Sequence, residues 1–449
     1  MATHKRRRQL SAMGLGLALA MVTSGCLSSD DGGDGGSSGG AGNDLGSEDG
    51  DKTVTILGAF GGAEEEAFNQ SVSAFEEESG LTVEYTGDQD FTTTIRTRAD
   101  AGDAPDIALF PQPGGLLDMA EDGLIAPLND VIDLPAIEET LIPGFLDAAT
   151  QDGDVYGAPM RMAVKSLVWY PMPAYGDAGY NTEPATMGEL AEVADQIKSD
   201  GTAPWCVGWE SDQATGWVGT DWLEEMVLRT AGPDVYDQWV AHEIPFDDPQ
   251  IVDALDAAGE ILKEEGNVLG GSKAILNTAF ADAMAPAFQD PPKCYLHRQG
   301  NFATTFYPEE VQANLDEAVG LFVFPPVEGG YEGQPILGGG DLAATFNGDD
   351  EDTQEVLEWL TSDQFGAEWA QAGGWLSPHK TFDGSNYPDE TTRKIAEIAS
   401  SADVFRFDAS DLMPAVIGSG TFWTEMVKWI DGQSSEDTLA AIEADWPSS

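Results

Sequence analysis

The stretch TVTILGAFGGAEEEAFNQSVSAFEEESGLTVEYTG, residues 53–87, decides the fold. TVTILGAF (53–60) is an apolar, partly β-branched run of the length of a buried strand. The middle places Phe68, Val72 and Phe75 on one helical face. Three glutamates, Glu64 to Glu66, precede that face, where the positive end of a helix favours them. Gly80 supplies a C-cap, since glycine enters the left-handed conformation without strain. LTVEYTG (81–87) then alternates as a second strand. Strand, helix and strand make a β-α-β unit, and DIALFPQPG (106–114) adds another strand with a loop at its carboxyl end. This alternation predicts an α/β fold with a mostly parallel sheet. Ligands of such sheets bind beyond the carboxyl ends of the strands.

Helical signals continue downstream. DDPQIVDALDAAGEILKEEG (247–266) has an Asp cap, an early Pro249, and Ile251, Leu255, Ala258 and Leu262 on one face. TQEVLEWLTSDQFGAEWAQAGG (353–374) reads as a helix pair ending at glycines, and SEDTLAAIEADW as a closing helix. The 449 residues suffice for two domains, and a hydrophobic fraction of 41% is enough to build their cores.

Acidic residues number 80 against 20 basic ones, a formal charge of −60. That field repels nucleic acid and anionic membrane surfaces and disfavours strongly anionic ligands. It suits a high-salt habitat, where screening over a few ångströms quenches self-repulsion. HKRRR followed by LSAMGLGLALAMVTSG has the layout of a signal peptide over 1–25, too short to span a bilayer. VTSGC resembles a bacterial lipobox, which implies cleavage before Cys26 and lipidation of that cysteine. Residues 26–51 form a Gly/Ser/Asp tether between the anchor and the folded body. Removal of 1–25 leaves 16 basic against 80 acidic residues, a charge of −64. The expected location is the outer face of the cell membrane. In that oxidising compartment Cys206 and Cys294 predict a disulfide, with two buried free thiols as the alternative. The two cysteines and scattered histidines lack ligand spacing, so no metal is expected. No phosphate-binding glycine motif or other cofactor signature occurs, and no cofactor is expected.

Three aromatic, polar clusters carry the chemistry. PWCVGWESDQATGWVGTDWLEEM (204–226) holds four tryptophans among carboxylates. PPKCYLHRQGNF (291–302) brings Lys293, His297 and Arg298 together in a chain poor in bases, with His297 read as a core or surface group. GGGDLAATF (338–346) and GGWLSPHK (373–380) form the third. Rings beside carboxylates, amides and an arginine suit a sugar, whose apolar face stacks on an indole while charged groups bind paired hydroxyls. The carboxylates also fit a secreted glycosidase. Acid with aromatic walls fits a cationic solute such as a polyamine.

The runs DIALFPQPG, GAPMRMAVKSLVWYP, PWCVGWES, GWVGTDWLEEMVLRTAGPDVYDQW, DAMAPAFQDPPKCYLHRQGNF, GGGDLAATF and GGWLSPHK span nearly all of 52–446. Across them the chain resembles an extracellular solute-binding protein of a carbohydrate ABC transporter, of the alpha-glucoside-binding type. The resemblance implies a two-lobed, maltodextrin-binding-like (type II periplasmic-binding-protein-like) fold with an interlobe cleft. It implies one lobe from 52–163 and 330–373 and a second from 164–329 and 374–449, crossing near Arg161–Ser166, 326–336 and Gly373–Leu376. It further implies an enclosed sugar, delivery to ABC permease subunits, no catalysis and a monomer. On that reading the ligand contacts are Phe60, Glu64, Asp90, Phe91, Gln112, Lys165, Glu210, Trp217, Asp221, Trp222, Arg298, Asp341 and Trp375.

Overall fold

A computed structural model describes residues 52–142 and 144–447. Cys26, the signal-peptide segment and the tether lie outside them. Strand β1 (Thr53–Gly58), helix α1 (Ala63–Ser79) and strand β2 (Thr82–Gly87) form the expected unit. β1 and β2 pair in parallel from Thr53/Thr82 to Gly58/Gly87. Gly80 ends α1 at φ 77°, its amide donating to the Glu76 carbonyl. Phe68 and Val72 are buried, and Phe75 stacks on Trp359 at 4.4 Å. Each such side chain contributes roughly 1.5–3 kcal/mol when fully buried. Helix α2 (Phe91–Ala101) leads to β3 (Ile107–Phe110), which pairs in parallel with β1 on the side opposite β2.

Beyond this point antiparallel pairings enter the sheet that the alternation predicts as mostly parallel: three of its five strand pairings are parallel. The long strand Ile336–Thr345 runs antiparallel to β3 and to the strand Ala158–Val164. The chain returns to this sheet from a distance, so right-handed crossovers do not dictate the direction of its later strands. Phe405–Phe407 pairs in parallel with Ile336–Gly338. Part of the segment 374–449, expected in the second lobe, therefore belongs to the first sheet.

The chain leaves the first sheet after Val164 and enters a second at Leu167. This sheet, His297–Arg298 / Leu167–Pro171 / Val319–Val323, is wholly antiparallel. Its alternating side chains serve two cores. Leu167, Trp169 and Leu321 continue the packing of the first sheet. Val168, Tyr170 and Phe322 join Trp205, Trp209, Trp222 and Trp239 in a core rich in aromatics. The helices Trp217–Thr230 and Pro249–Leu262 pack on this second core, the latter capped by Asp248 on the Gln250 amide. Cys206 and Cys294 are disulfide-bonded, with Cα atoms 5.4 Å apart, as the oxidising compartment predicts. The bond joins two aromatic clusters distant in sequence, and the Cys206 amide donates to the Leu296 carbonyl beside it. The molecule is thus a two-lobed α/β protein. No helix among the described residues is long and apolar enough to cross a membrane.

Candidate functional site

A cavity of about 470 Å³ lies where the loops after β1 and β3 meet the crossing segment and the helix beginning at Trp217. Its size falls in the ~300–1,000 Å³ range of small-molecule sites. Two cations organise it, Lys165 buried and Arg161 half-buried. Arg161, on the strand Ala158–Val164, donates through Nη1 to Glu64 Oε1 and through Nε to Asp341 Oδ2, both at 2.5 Å. Its guanidinium lies 5.0 Å from the centre of the Phe60 ring and 5.2 Å from that of Trp369. Phe60 is itself fixed by stacking on Tyr85 at 5.1 Å, whose hydroxyl donates to the Phe60 carbonyl. Lys165 follows the same strand. Its ammonium bonds Asp221 Oδ1 at 3.1 Å and Asp408 Oδ2, and sits 5.2 Å from the Trp217 ring centre. Burial would lower the Lys165 pKa, but the Asp221 and Asp408 charges outweigh it and hold the group above its ordinary value.

The walls differ in character. Glu210 and Trp217 come from the 204–226 aromatic cluster, with Phe280, Phe302 and Phe306 beside them. Phe280 meets Trp217 edge-on at 5.3 Å. Gly216, at φ 125°, allows the helix to begin against Trp423: a Cβ there would stand 2.3 Å from the Trp423 carbonyl oxygen. Of the glycine run, Gly338 is packed against Phe405, while Gly339 and Gly340 line the cavity, Gly340 tight against the Arg161 carbonyl. Paired carboxylates and flat rings therefore line a partly open space whose surface is more apolar than polar. Paired carboxylates accept from adjacent hydroxyls, the cations donate, and the rings take an apolar face.

Phe60, Glu64, Gln112, Lys165, Glu210, Trp217, Asp221 and Asp341 all line this cavity. Five sequence candidates do not. Asp90 is exposed at the start of α2, and Gln89 takes the lining position. Phe91 turns into the core, edge-on to Phe110 at 5.2 Å. Trp222 is buried one helical turn behind Trp217's neighbours, edge-on to Trp205 and Phe324. Trp375 is buried among Phe365, Trp369 and Phe382. In each of these three rings, apolar burial outweighs contact with the cavity. Arg298 is buried behind the cavity wall, where it pairs with Glu225 at 3.1 Å and Asp221 at 3.6 Å. It acts on the site only through Asp221. His297 is core: its Nδ1 lies 2.8 Å from the Cys206 carbonyl oxygen, and burial pushes its pKa down to about 4.

The sequence reading missed Arg161 as a contact, although it marks the first crossing, and it missed Asp408, Asp411, Phe302 and Trp423. Asp408 carried a usable signal. It directly follows the strand FRF (405–407), at the same strand-end position that identified Phe60 and Gln112. Asp221, Glu224 and Asp408 bring oxygens within 4.8 Å of one another. The cation bonded to two of these three groups is the Lys165 ammonium.

The comparisons agree with this architecture. The model of the family described as bacterial extracellular solute-binding protein matches residues 61–391. The chain is 45% identical to the osmoprotective compounds-binding protein GgtB of Synechocystis sp., over 88% of this chain and 93% of that one. It is 37% identical to the alpha-glucosides-binding periplasmic protein AglE of Rhizobium meliloti, over 88% and 87%. A solved chitin oligosaccharide binding protein superposes with a TM-score of 0.73 at 19% identity, covering 87% of this chain and 97% of that one. The chain belongs to the bacterial extracellular solute-binding proteins, the two-lobed solute receptors of ABC transporters.

Proposed function

We propose that the protein captures an alpha-glucoside or short oligosaccharide outside the cell and delivers it intact to the permease subunits of a carbohydrate ABC transporter. The observation that carries this reading is the pair of ring-flanked cation nodes, Arg161 with Phe60 and Lys165 with Trp217, each holding two carboxylates at the cavity wall. A sugar needs this combination of flat apolar faces and paired, charge-assisted acceptors. Similarity to an alpha-glucosides-binding protein and to an osmoprotective compounds-binding protein supports a small polyhydroxylated solute. The receptor acts as a monomer, held at the membrane by a lipid on Cys26 and a flexible tether, and encloses the sugar by hinge motion of its lobes. It catalyses no reaction. A cationic solute is the second reading, favoured by the excess of acids over the two bases on the lining.

A thermal-shift panel at high salt separates these readings, with maltose, trehalose, sucrose and spermidine as probes and chromatography of each mixture afterwards. A rise in Tm with an intact alpha-glucoside supports the proposal. A rise with spermidine alone moves the assignment to cationic solutes. Glucose released from maltose overturns the non-catalytic reading.

A further inference from the structure

Behind the cavity wall one buried negative charge has no counter-charge. Four carboxylates, Asp221, Glu224, Glu225 and Asp408, are at most 1% exposed. Three buried cations, Lys165, Arg229 and Arg298, reach into this group. Glu225 is held by both arginines and by the Ser166 hydroxyl. Lys165 takes Asp221 Oδ1 at 3.1 Å and Asp408 Oδ2, and Arg298 stands 3.6 Å from Asp221 Oδ2. The excess falls on Glu224, which forms no ion pair among the described residues. Its Oε1 accepts from the Ser410 amide at 2.8 Å. Its Oε2 has no hydrogen-bond partner, and neither has Asp221 Oδ2 or Asp408 Oδ1. An ionised carboxylate left uncompensated at this depth is strongly destabilising.

Asp221 and Glu224 stand three positions apart on one face of the helix Trp217–Thr230, and Asp408 meets them from the end of the strand Phe405–Phe407. One oxygen from each of the three lies within 4.8 Å of the other two. Two oxygens that share a calcium-sized ion, at about 2.4 Å each, stand up to ~4.8 Å apart. We propose that Asp221, Glu224 and Asp408 hold a sodium ion through oxygens that Lys165 does not use. The donors are all oxygens, which suits a hard cation, and this needs no cysteine or histidine spacing. Sodium is close to calcium in radius, and its single charge cancels the single charge in excess, whereas a divalent ion overshoots the balance. Asp221 and Asp408 line the cavity, which gives the ion its way in. The site stands whether or not the cavity binds a sugar. In ion-free protein a proton takes the place of sodium, since burial holds the Glu224 carboxyl well above its ordinary range. Proton and ion compete for the same oxygens, so a loss of stability with rising pH belongs to the ion-free protein.

The test is thermal unfolding of the protein at pH 8 and a constant 2 M total chloride, so that screening stays fixed while sodium replaces choline. Tm is expected to rise with the logarithm of sodium concentration, by roughly 3 °C or more between 10 mM and 2 M. Potassium, a larger ion, is expected to give less than half that shift. Glu224→Gln keeps an oxygen for the Ser410 amide and removes the charge, so its Tm should be the same in sodium and choline. Equal wild-type Tm in the two salts overturns the proposal and assigns the excess charge to a proton on Glu224. A sodium-dependent rise that persists undiminished in Glu224→Gln also overturns it, because the effect then lies at the acidic surface. Stabilisation by micromolar calcium but not by sodium overturns the monovalent assignment. Should Glu224→Gln fail to fold, tryptophan fluorescence of the wild type decides. A saturable sodium titration at fixed total chloride, not reproduced by potassium, supports the site, and an unselective response overturns it.

Discussion

At the scale of single residues, function is set by where a charge finds its partner. Arg298 is the clearest case. A lone arginine amid rings and amides reads as a ligand contact, yet it pairs with a helix residue 73 positions earlier, Glu225, behind the wall. No spacing rule shows that. Removing one member of a buried ion network leaves the others exposed to full desolvation. Arg298→Met is therefore expected to cost about 3–5 kcal/mol in denaturant unfolding; a loss below about 1 kcal/mol would contradict the buried pairing. The same network gives stability a direction in pH. Burial raises Asp221 and Asp411 to about 6 and Asp408 to about 7, and Glu224 well above its ordinary value. The folded state holds these protons more tightly than the unfolded chain does. Their contribution is fully present below about pH 4 and is lost as pH rises through 6 to 7. His297 and His379, lowered by burial to about 4, act in the opposite sense, but only below their ordinary 6.5. From pH 6.5 to about 8 the acids alone count, so Tm falls across that interval. A Tm that rises there would contradict it.

At the scale of elements, residues 53–87 were legible. The period of Phe68, Val72 and Phe75, the glycine stop and the alternation after it are local facts, and β1, α1 and β2 follow from them. The rule that ligands meet the carboxyl ends of strands placed Phe60, Glu64 and Gln112 on the cavity. It failed for Asp90 and Phe91, because one turn of α2 decides between cavity and core. The direction of Ile336–Thr345 was not legible, since antiparallel pairing there depends on a partner nearly 180 residues away, Arg161 opposite Asp341. Trp222 and Trp375 look like Trp217 in sequence and differ only in what packs on them. Gly339 offers a test at this scale. A Cβ at Gly339 would stand 3.3 Å from Asp408 Oδ2, so Gly339→Val crowds both solute space and the Asp408–Lys165 pair. Overpacking of ~1–3 kcal/mol should lower Tm, and the filled solute space should cost roughly tenfold or more in solute affinity. Unchanged affinity would remove Gly339 from the solute surface.

At the scale of the whole molecule, 80 acids against 20 bases make self-repulsion the dominant long-range term. Salt shortens its range from ~10 Å at 0.1 M to ~3 Å at 1 M. Tm is therefore expected to climb as sodium chloride rises from 0.1 to about 2 M, and a Tm that falls over that range would contradict the charge argument. The buried Lys165 and half-buried Arg161 networks are screened less than surface charges, so solute binding depends on salt less than stability does. The central claim is that one solute is held between these two networks. Isothermal titration of maltose, trehalose and sucrose into the protein at high salt, in parallel with Arg161→Met and Trp217→Ala, tests it most directly. The account predicts saturable one-to-one binding of at least one intact sugar by the parent protein and a loss of about 2 kcal/mol or more in Arg161→Met. It predicts a smaller loss in Trp217→Ala. Sugar binding that survives both substitutions undiminished, or folded protein that gives no heat with any of the three, would contradict it.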